Sequence, residues 1–138
     1  MIGYLDSSVL LRALLNQPSQ AAEFRSLSRP LSSKVLKTEC LRTLDRARLS
    51  GNLNEEEHLA ALSDFYLAME SVELIEVSDS ILERASGSFP VALGTLDAIH
   101  VASALAWRDA WGEELTLFTH DVALGRGARA MGFTVLGC

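Results

Sequence analysis

The sequence predicts an α/β fold, a five-stranded parallel sheet with helices on both faces. Three observations predict it. Short apolar runs alternate with longer amphipathic stretches along the chain, the order that sets crossover helices between parallel strands. The first run, Ile2 to Leu5, is too short for a helix and too continuous in apolar content for a half-exposed strand, as a strand covered on both faces requires. The 138 residues, 49% hydrophobic and 22% charged, suffice for one core and not two, so 1–138 is expected to be a single domain.

The elements follow in order. After the first strand, Ser7 or Ser8 can cap a helix whose apolar side is Val9, Leu10, Ala13 and Leu14. Asn16 to Ser19 break the pattern, and Gln20 to Ser28 reads as a short helix packing Ala21, Phe24 and Leu27. Pro30 ends it, and Ser33 to Leu36 reads as the second strand. Thr38 caps a helix from Glu39 to about Leu49, closed by Gly51. Asn54 starts the next, with Glu55, Glu56 and Glu57 in the first turn and Leu59, Leu62, Phe65, Tyr66 and Met69 as its buried face. Val72 to Val77 alternates apolar with acidic residues and is placed at a sheet edge. Ser78 or Asp79 caps a helix to about Gly87, and 88–94 is a loop. Thr95 opens the most regular helix, TLDAIHVASALAWRDAW, whose small and apolar residues, Leu96, Ile99, Val101, Ala102 and Leu105 among them, imply burial. Leu115 to Phe118 is a strand, Asp121 to Ala130 a helix and Phe133 to Leu136 the last strand.

Composition excludes several classes. No stretch approaches the roughly 20 apolar residues of a membrane helix, and the N-terminus lacks a basic region followed by an apolar run. Cys40 and Cys138 form no disulfide framework, so a reducing compartment, the cytoplasm, is expected. The net charge of −6 argues against nonspecific nucleic-acid binding, yet it is unevenly spread. Residues 1–50 carry eight basic residues against four acids, a balance of +4, which leaves −10 for the rest. That pattern fits a polyanion-facing rim on an acidic molecule and equally a solvated surface.

Four acids then stand out. Asp6 follows the first strand, Glu39 the second by way of Thr38, and Asp121 the fourth by way of Thr119 and His120, while Asp97 lies in the first turn of the long helix. Ligands bind at the carboxyl ends of parallel strands, where connections diverge. Asp6 alone reads equally as a helix cap, and each acid could serve a helix dipole for about 0.3–1 kcal/mol. Four at one mouth are harder to explain so, because two ionised acids about 4 Å apart repel by roughly 4 kcal/mol at an effective dielectric near 20. A hard divalent cation removes that cost, and carboxylate oxygens suit Mg²⁺ or Mn²⁺. Such a site fits phosphodiester cleavage. No His/Cys ligand spacing, Ser-His-Asp motif or glycine-rich phosphate loop competes.

The segments YLDSS, LKTECLR, TLDAIHVASAL and FTHDVALGRGARAMGFTVL, in this order, resemble the PIN-domain ribonucleases, and among them the VapC-type toxins of toxin–antitoxin pairs. The resemblance spans essentially the whole chain. It implies a PIN-like α/β/α sandwich with strand order 3-2-1-4-5 and Mg²⁺- or Mn²⁺-dependent endoribonuclease activity. It further implies an RNA substrate, a VapB-like antitoxin partner laid over the groove, and a homodimer. By the same resemblance the catalytic acids are Asp6, Glu39, Asp97 and Asp121, with Asp6 and Asp97 as principal metal ligands, Asp121 assisting, and Glu39 orienting the attacking water or a second ion. Ser7 and Thr119 are the hydroxyls that position ligands or water. Gly94 departs from the basic residue many relatives carry before Thr-x-Asp, which implies weaker RNA contact there and no change at the metal.

Arg42 and Arg46 fall on the face of Glu39; they either hold RNA phosphates or neutralise Glu39, with the second preferred. His100, one turn past Asp97, reads as a packed histidine rather than a base, and His120 as a structural neighbour of Asp121 more than a phosphate contact. Leu10, Leu11, Leu14, Leu15 and Phe24 exceed one helix face; core packing is the default reading and a partner's docking the other. A catalytically silent PIN-like binding or adaptor module is the alternative function. A haloacid-dehalogenase-type phosphatase would need an acid where Ser8 stands, and a receiver domain a lysine later than Lys37.

Overall fold

The computed structural model describes residues 1–18 and 25–138. Among them are five strands, β1 (Ile2–Leu5), β2 (Arg29–Ser33), β3 (Glu73–Ile75), β4 (Thr116–Phe118) and β5 (Thr134–Leu136). The helices are α1 (Ser7–Leu14), α2 (Val35–Leu49), α3 (Glu55–Met69), α4 (Asp79–Ala85), α5 (Thr95–Trp111) and α6 (Val122–Ala130). The sheet is parallel throughout and ordered β3-β2-β1-β4-β5, so the order implied by the resemblance holds. β1 is central, and the chain's connections diverge on either side of the β1–β4 pair.

The sheet is covered on both faces. Tyr4 packs with Leu31, Val101, Leu105, Leu117 and Leu124, whereas its neighbour Leu5 packs with Val9 and Phe118. Successive residues of a strand point to opposite faces, so Tyr4 and Asp6 share the face toward α5. A third cluster joins Leu10 and Leu14 of α1 to Leu36, Cys40 and Leu44 of α2 and Phe65 of α3. Leu11 and Leu15 pack against it, which supports the core reading of that leucine group.

Several boundaries differ from expectation. The second strand is Arg29–Ser33, not Ser33 to Leu36, and Pro30 lies within it. Pro30 is tolerated because it faces Gly3 of β1, while pairing with β3 begins only at Leu31. Consequently α2 starts at Val35, whose N–H donates to Ser33 Oγ at 3.3 Å, and Thr38 sits inside the helix rather than capping it. The end was read correctly: Gly51 follows Leu49 at φ +80°, a conformation glycine adopts without strain. The helix expected from Gln20 to Ser28 lies outside the described residues through Phe24, and beyond them Arg25 and Ser26 form a short 3₁₀ turn.

On α3 the expected capping is complete: Asn54 and Glu57 form a reciprocal capping box. Its buried residues are Ala61 and Phe65. Leu59 and Tyr66, expected to be buried, are exposed, and Leu62 and Met69 are half-buried. Leu96 at the start of α5 is likewise exposed rather than part of the core. No helix among the described residues is long and apolar enough to cross a membrane.

Candidate metal-binding and nuclease site

Asp6 occupies the N-cap position of α1, yet its side chain makes no capping hydrogen bond. The reading of this acid as a helix cap through its side chain therefore fails. Its carboxylate is held by neighbours instead: Ser8 Oγ donates to Oδ2 at 2.6 Å, Thr119 Oγ1 to the same oxygen at 2.7 Å, and Ser7 Oγ lies 3.3 Å from Oδ1. β1 and β4 pair through Leu5 and Phe118, which brings Thr119 alongside Asp6. Asp6 is 4% exposed.

Glu39 lies one turn into α2, and it still reaches the mouth of the sheet. Helical side chains lean toward the N-terminus of their own helix, so Glu39 extends back over the exit of β2. Its Oε2 is 3.3 Å from Ser7 Oγ, which thus stands between two carboxylates. Its Oε1 lies 2.5 Å from His100 Nε2. His100 leans back along α5 in the same way, and Nε2 is 3.9 Å from Asp6 Oδ1. Asp6, Glu39 and His100 each offer a ligand atom within 4.8 Å of the others.

Asp97 and Asp121 lie outside that tight group and remain in electrostatic reach. The Asp97 carboxyl is pushed up to about 6, first by burial and then by the charge of Asp121 and Asp6, against the partial relief of His100. Asp121 is exposed and caps α6, its Oδ1 accepting the N–H groups of Ala123 and Leu124. The cap leaves Oδ2 uncommitted. Asp121 therefore serves the helix that the sequence allowed it to serve, at the edge of an acid-rich mouth.

Thr119 is fully buried. Between the bond it donates to Asp6 and the Asp121 N–H it accepts at 3.0 Å, it ties the β4 exit to β1. Ser7 and Ser8, expected as alternative caps, lie inside α1 with Asp6 at the N-cap position, and Ser8 ties β4 to β1 as well by accepting the His120 N–H at 2.9 Å. His120 Nδ1 is 2.9 Å from the carbonyl oxygen of Gly137, in keeping with a structural part.

Beside Glu39 opens a cavity of about 400 Å³, lined by Ser7, Thr38, Glu39, Arg42, Arg46 and Leu96 among others. Arg42 bonds Asp45 at 3.0 Å and Arg46 bonds Thr43 at 3.2 Å, while Glu39 is held by His100. The preferred role of these arginines, neutralising Glu39, is not what their bonds show. They line the cavity wall with their charge.

The sequence signal for His100 was its place three residues after Asp97, on one helix face. For Tyr4 it was its place two residues before Asp6, on one side of the strand. The Tyr4 hydroxyl lies 2.7 Å from His100 Nδ1 and is fully buried.

The fold and this mouth of carboxylates define a class of protein. The profile of the PIN domain family matches residues 3–128, and the chain belongs to that family. Within it, the chain is similar to ribonuclease VapC46 of Mycobacterium tuberculosis, 29% identical over 96% of this chain and 95% of the relative. It is similar as well to ribonuclease VapC47 of the same species, at 26% identity, 94% of this chain and 92% of the relative. In structure it matches a chain of the VapBC2 complex of Rickettsia felis bound to a promoter DNA fragment, with TM-score 0.64, 15% identity, and 98% and 97% of the two chains covered.

Proposed function

We propose that this protein is a metal-dependent endoribonuclease, the toxin of a VapBC-type toxin–antitoxin module, and that it hydrolyses RNA phosphodiester bonds in the cytoplasm. The observation that carries this reading is the convergence of Asp6 and Glu39, with Asp97 and Asp121 in reach, at the carboxyl end of the parallel sheet. The likeness to two VapC ribonucleases over nearly their whole length supports it.

The donor set fits a hard divalent cation. Carboxylate oxygens predominate, and the Asp97 carboxyl is raised first by burial and then by the neighbouring charges of Asp121 and Asp6, both of which a bound cation would offset. We assign Asp6 and Asp97 as principal ligands of Mg²⁺ or Mn²⁺, with Asp121 contributing directly or through water. When bound, the cation supplies Lewis-acid polarisation of the scissile phosphate and offsets the repulsion among the acids.

The remaining roles belong to the chain. Glu39, beside the cavity, orients the attacking water and draws its proton. Ser7, between Asp6 and Glu39, presents a hydroxyl to the same water. Thr119 and Ser8 keep the Asp6 carboxylate aimed. Arg42 and Arg46 hold RNA phosphates at the cavity wall, a contact whose strength falls with salt. A VapB-like antitoxin is the partner, covering the mouth, and two copies of the chain form the active dimer.

The test is incubation with total RNA and mapping of the product ends, comparing native protein with Asp6→Asn, with Mn²⁺ or Mg²⁺ and with EDTA. Cleavage by the native protein only with cation, and none by a folded Asp6→Asn, is expected. Undiminished cleavage by that variant refutes the assignment. Expression of the chain alone is expected to arrest bacterial growth, and co-expression of a small partner to relieve it.

A further inference from the structure

His100 is fully buried, one turn past Asp97 on α5, and both of its ring nitrogens are engaged. Burying an imidazole is costly unless its polar atoms are paired. Tyr4 Oη meets Nδ1 at 2.7 Å and Glu39 Oε1 meets Nε2 at 2.5 Å. The Tyr4 ring also packs edge-on against the imidazole, with centroids 5.7 Å apart and planes at 81°. A turn of the ring would break both bonds and strike Tyr4, so its orientation is fixed.

The direction of the second bond is fixed too. An ionised Glu39 only accepts, so Nε2 carries the proton and donates. This holds for either charge state of the ring. A neutral imidazole accepts the Tyr4 hydroxyl proton at Nδ1, and a charged one donates to the Tyr4 oxygen.

Glu39 depends on this donor. Among the described residues its other anchor is Ser7 Oγ at 3.3 Å, whose single proton is shared with Asp6 Oδ1 at 3.3 Å. A long side chain at the edge of a cavity, 16% exposed, has several rotamers open to it. A buried, immovable N–H selects one.

We propose that Tyr4 and His100 form a positioning chain for Glu39: His100, locked by Tyr4, holds Oε1 so that Oε2 faces Ser7 and the cavity. The proposal rests on the nuclease reading of the site, in which Glu39 orients water. Service of His100 as a metal ligand fits less well. Two ligands of one octahedral ion at about 2.1 Å sit about 3 Å apart, farther than the 2.5 Å between Nε2 and Oε1.

The experiment measures kcat and KM on an oligoribonucleotide spanning a site mapped in total RNA, with Mn²⁺ present and the melting temperature of each variant recorded. A glutamine amide N–H reaches the position of Nε2, whereas an asparagine amide reaches only that of Nδ1. His100→Asn is therefore expected to lower kcat about 10–100-fold with KM nearly unchanged. His100→Gln should recover most of that loss. In a Glu39→Gln background, His100→Asn should cost nothing more, because the residue acts through Glu39.

Native-level kcat in His100→Asn overturns the proposal, as do losses that are equal for Asn and Gln and additive with Glu39→Gln. Should His100→Asn fail to fold, Tyr4→Phe leaves the ring in place and removes its lock. A several-fold lower kcat then supports the chain, and an unchanged kcat overturns it. Failure of the native protein to cleave with cation sinks the nuclease reading itself, whereas native cleavage with an indifferent His100 sinks only the positioning chain.

Discussion

Asp97→Asn should make the cation-free protein more stable at neutral pH. In the native fold the Asp97 carboxyl lies at about 6 rather than 3.8, raised by burial and then by Asp121 and Asp6. A group whose pKa is higher in the folded than in the unfolded chain favours folding below the unfolded value and loses that contribution as pH rises through the folded one. At neutral pH Asp97 is ionised and its strain is fully felt. A change from 3.8 to about 6 corresponds to about 3 kcal/mol. Solvent screening at this half-buried position reduces the figure to about 1 kcal/mol.

For a chain of 138 residues, about 1 kcal/mol moves the melting temperature by about 3–4 °C. Asparagine keeps the shape of the side chain and removes the charge, so in EDTA the variant should melt that much higher than native protein. The gap should narrow as pH falls below about 6, where Asp97 takes up its proton in the folded chain, and close only below the unfolded value of 3.8, where it is protonated in both states. Millimolar Mn²⁺ should reverse the order, since a ligand at about 100-fold its Kd contributes about 2.7 kcal/mol to the chain that binds it. Scanning calorimetry on both proteins, at two pH values with EDTA and with Mn²⁺, decides the matter. A variant that melts below native in EDTA, or a gap indifferent to pH, refutes the electrostatic account of the mouth.

Other perturbations test separate parts of the fold. Thr119→Val preserves shape while leaving Asp6 short of a donor and the Asp121 N–H short of an acceptor, and urea unfolding should show a loss of about 1–3 kcal/mol together with weakened cleavage. Asn54→Ala opens the capping box of α3 and should cost about 1 kcal/mol, with activity retained; an unchanged unfolding midpoint would deny the cap any energetic part. Gly3→Ala places a methyl 2.6 Å from Leu27 Cδ1 and 2.7 Å from Phe118 Cε2. Leu27 can swing aside but the fully buried Phe118 cannot, so a loss of about 1–3 kcal/mol is expected by the same measurement.

The order of elements was legible because burial on both faces of a parallel sheet leaves strong marks: continuous apolar runs at β1 and β4, and a helix as uniformly small and apolar as α5. β2 was misplaced for the converse reason. Its core-facing residues include Ser32 and Ser33, both fully buried, and hydropathy does not flag a buried serine. Ser32 is satisfied by donating to the Leu5 carbonyl at 2.6 Å, a bond that exists only once β1 lies alongside. On α3 the error ran the other way. The helix carries more apolar residues than its two buried positions require, and Leu59, Tyr66 and Leu67 face outward. Periodicity identifies a helix more readily than it ranks the faces of one with so much apolar content.

The candidate site divides along the same physical line. Each acid could be located from the sequence, because a residue at a strand exit or first helical turn has a position set by local structure alone. Their mutual distances could not, since these follow from β1 pairing with β4 in one register and from how far each helical side chain leans back. Hence Glu39, expected at the start of its helix, lies one turn within it, and Asp121, expected at the metal, spends one oxygen on a cap. Hence also the preference for His100 as a packed histidine captured its burial and missed its partners. A histidine three residues past an acid is common to many buried helices. What distinguishes this one is a tyrosine from the other end of the chain that fixes the ring, and a glutamate from a third element that accepts its hydrogen bond. Such a chain costs two fully buried polar groups and a third partly buried one, and gains little stability over an apolar core of the same volume. Its presence at the mouth of the sheet is therefore better accounted for by the direction it gives to Glu39 than by any strength it lends the fold.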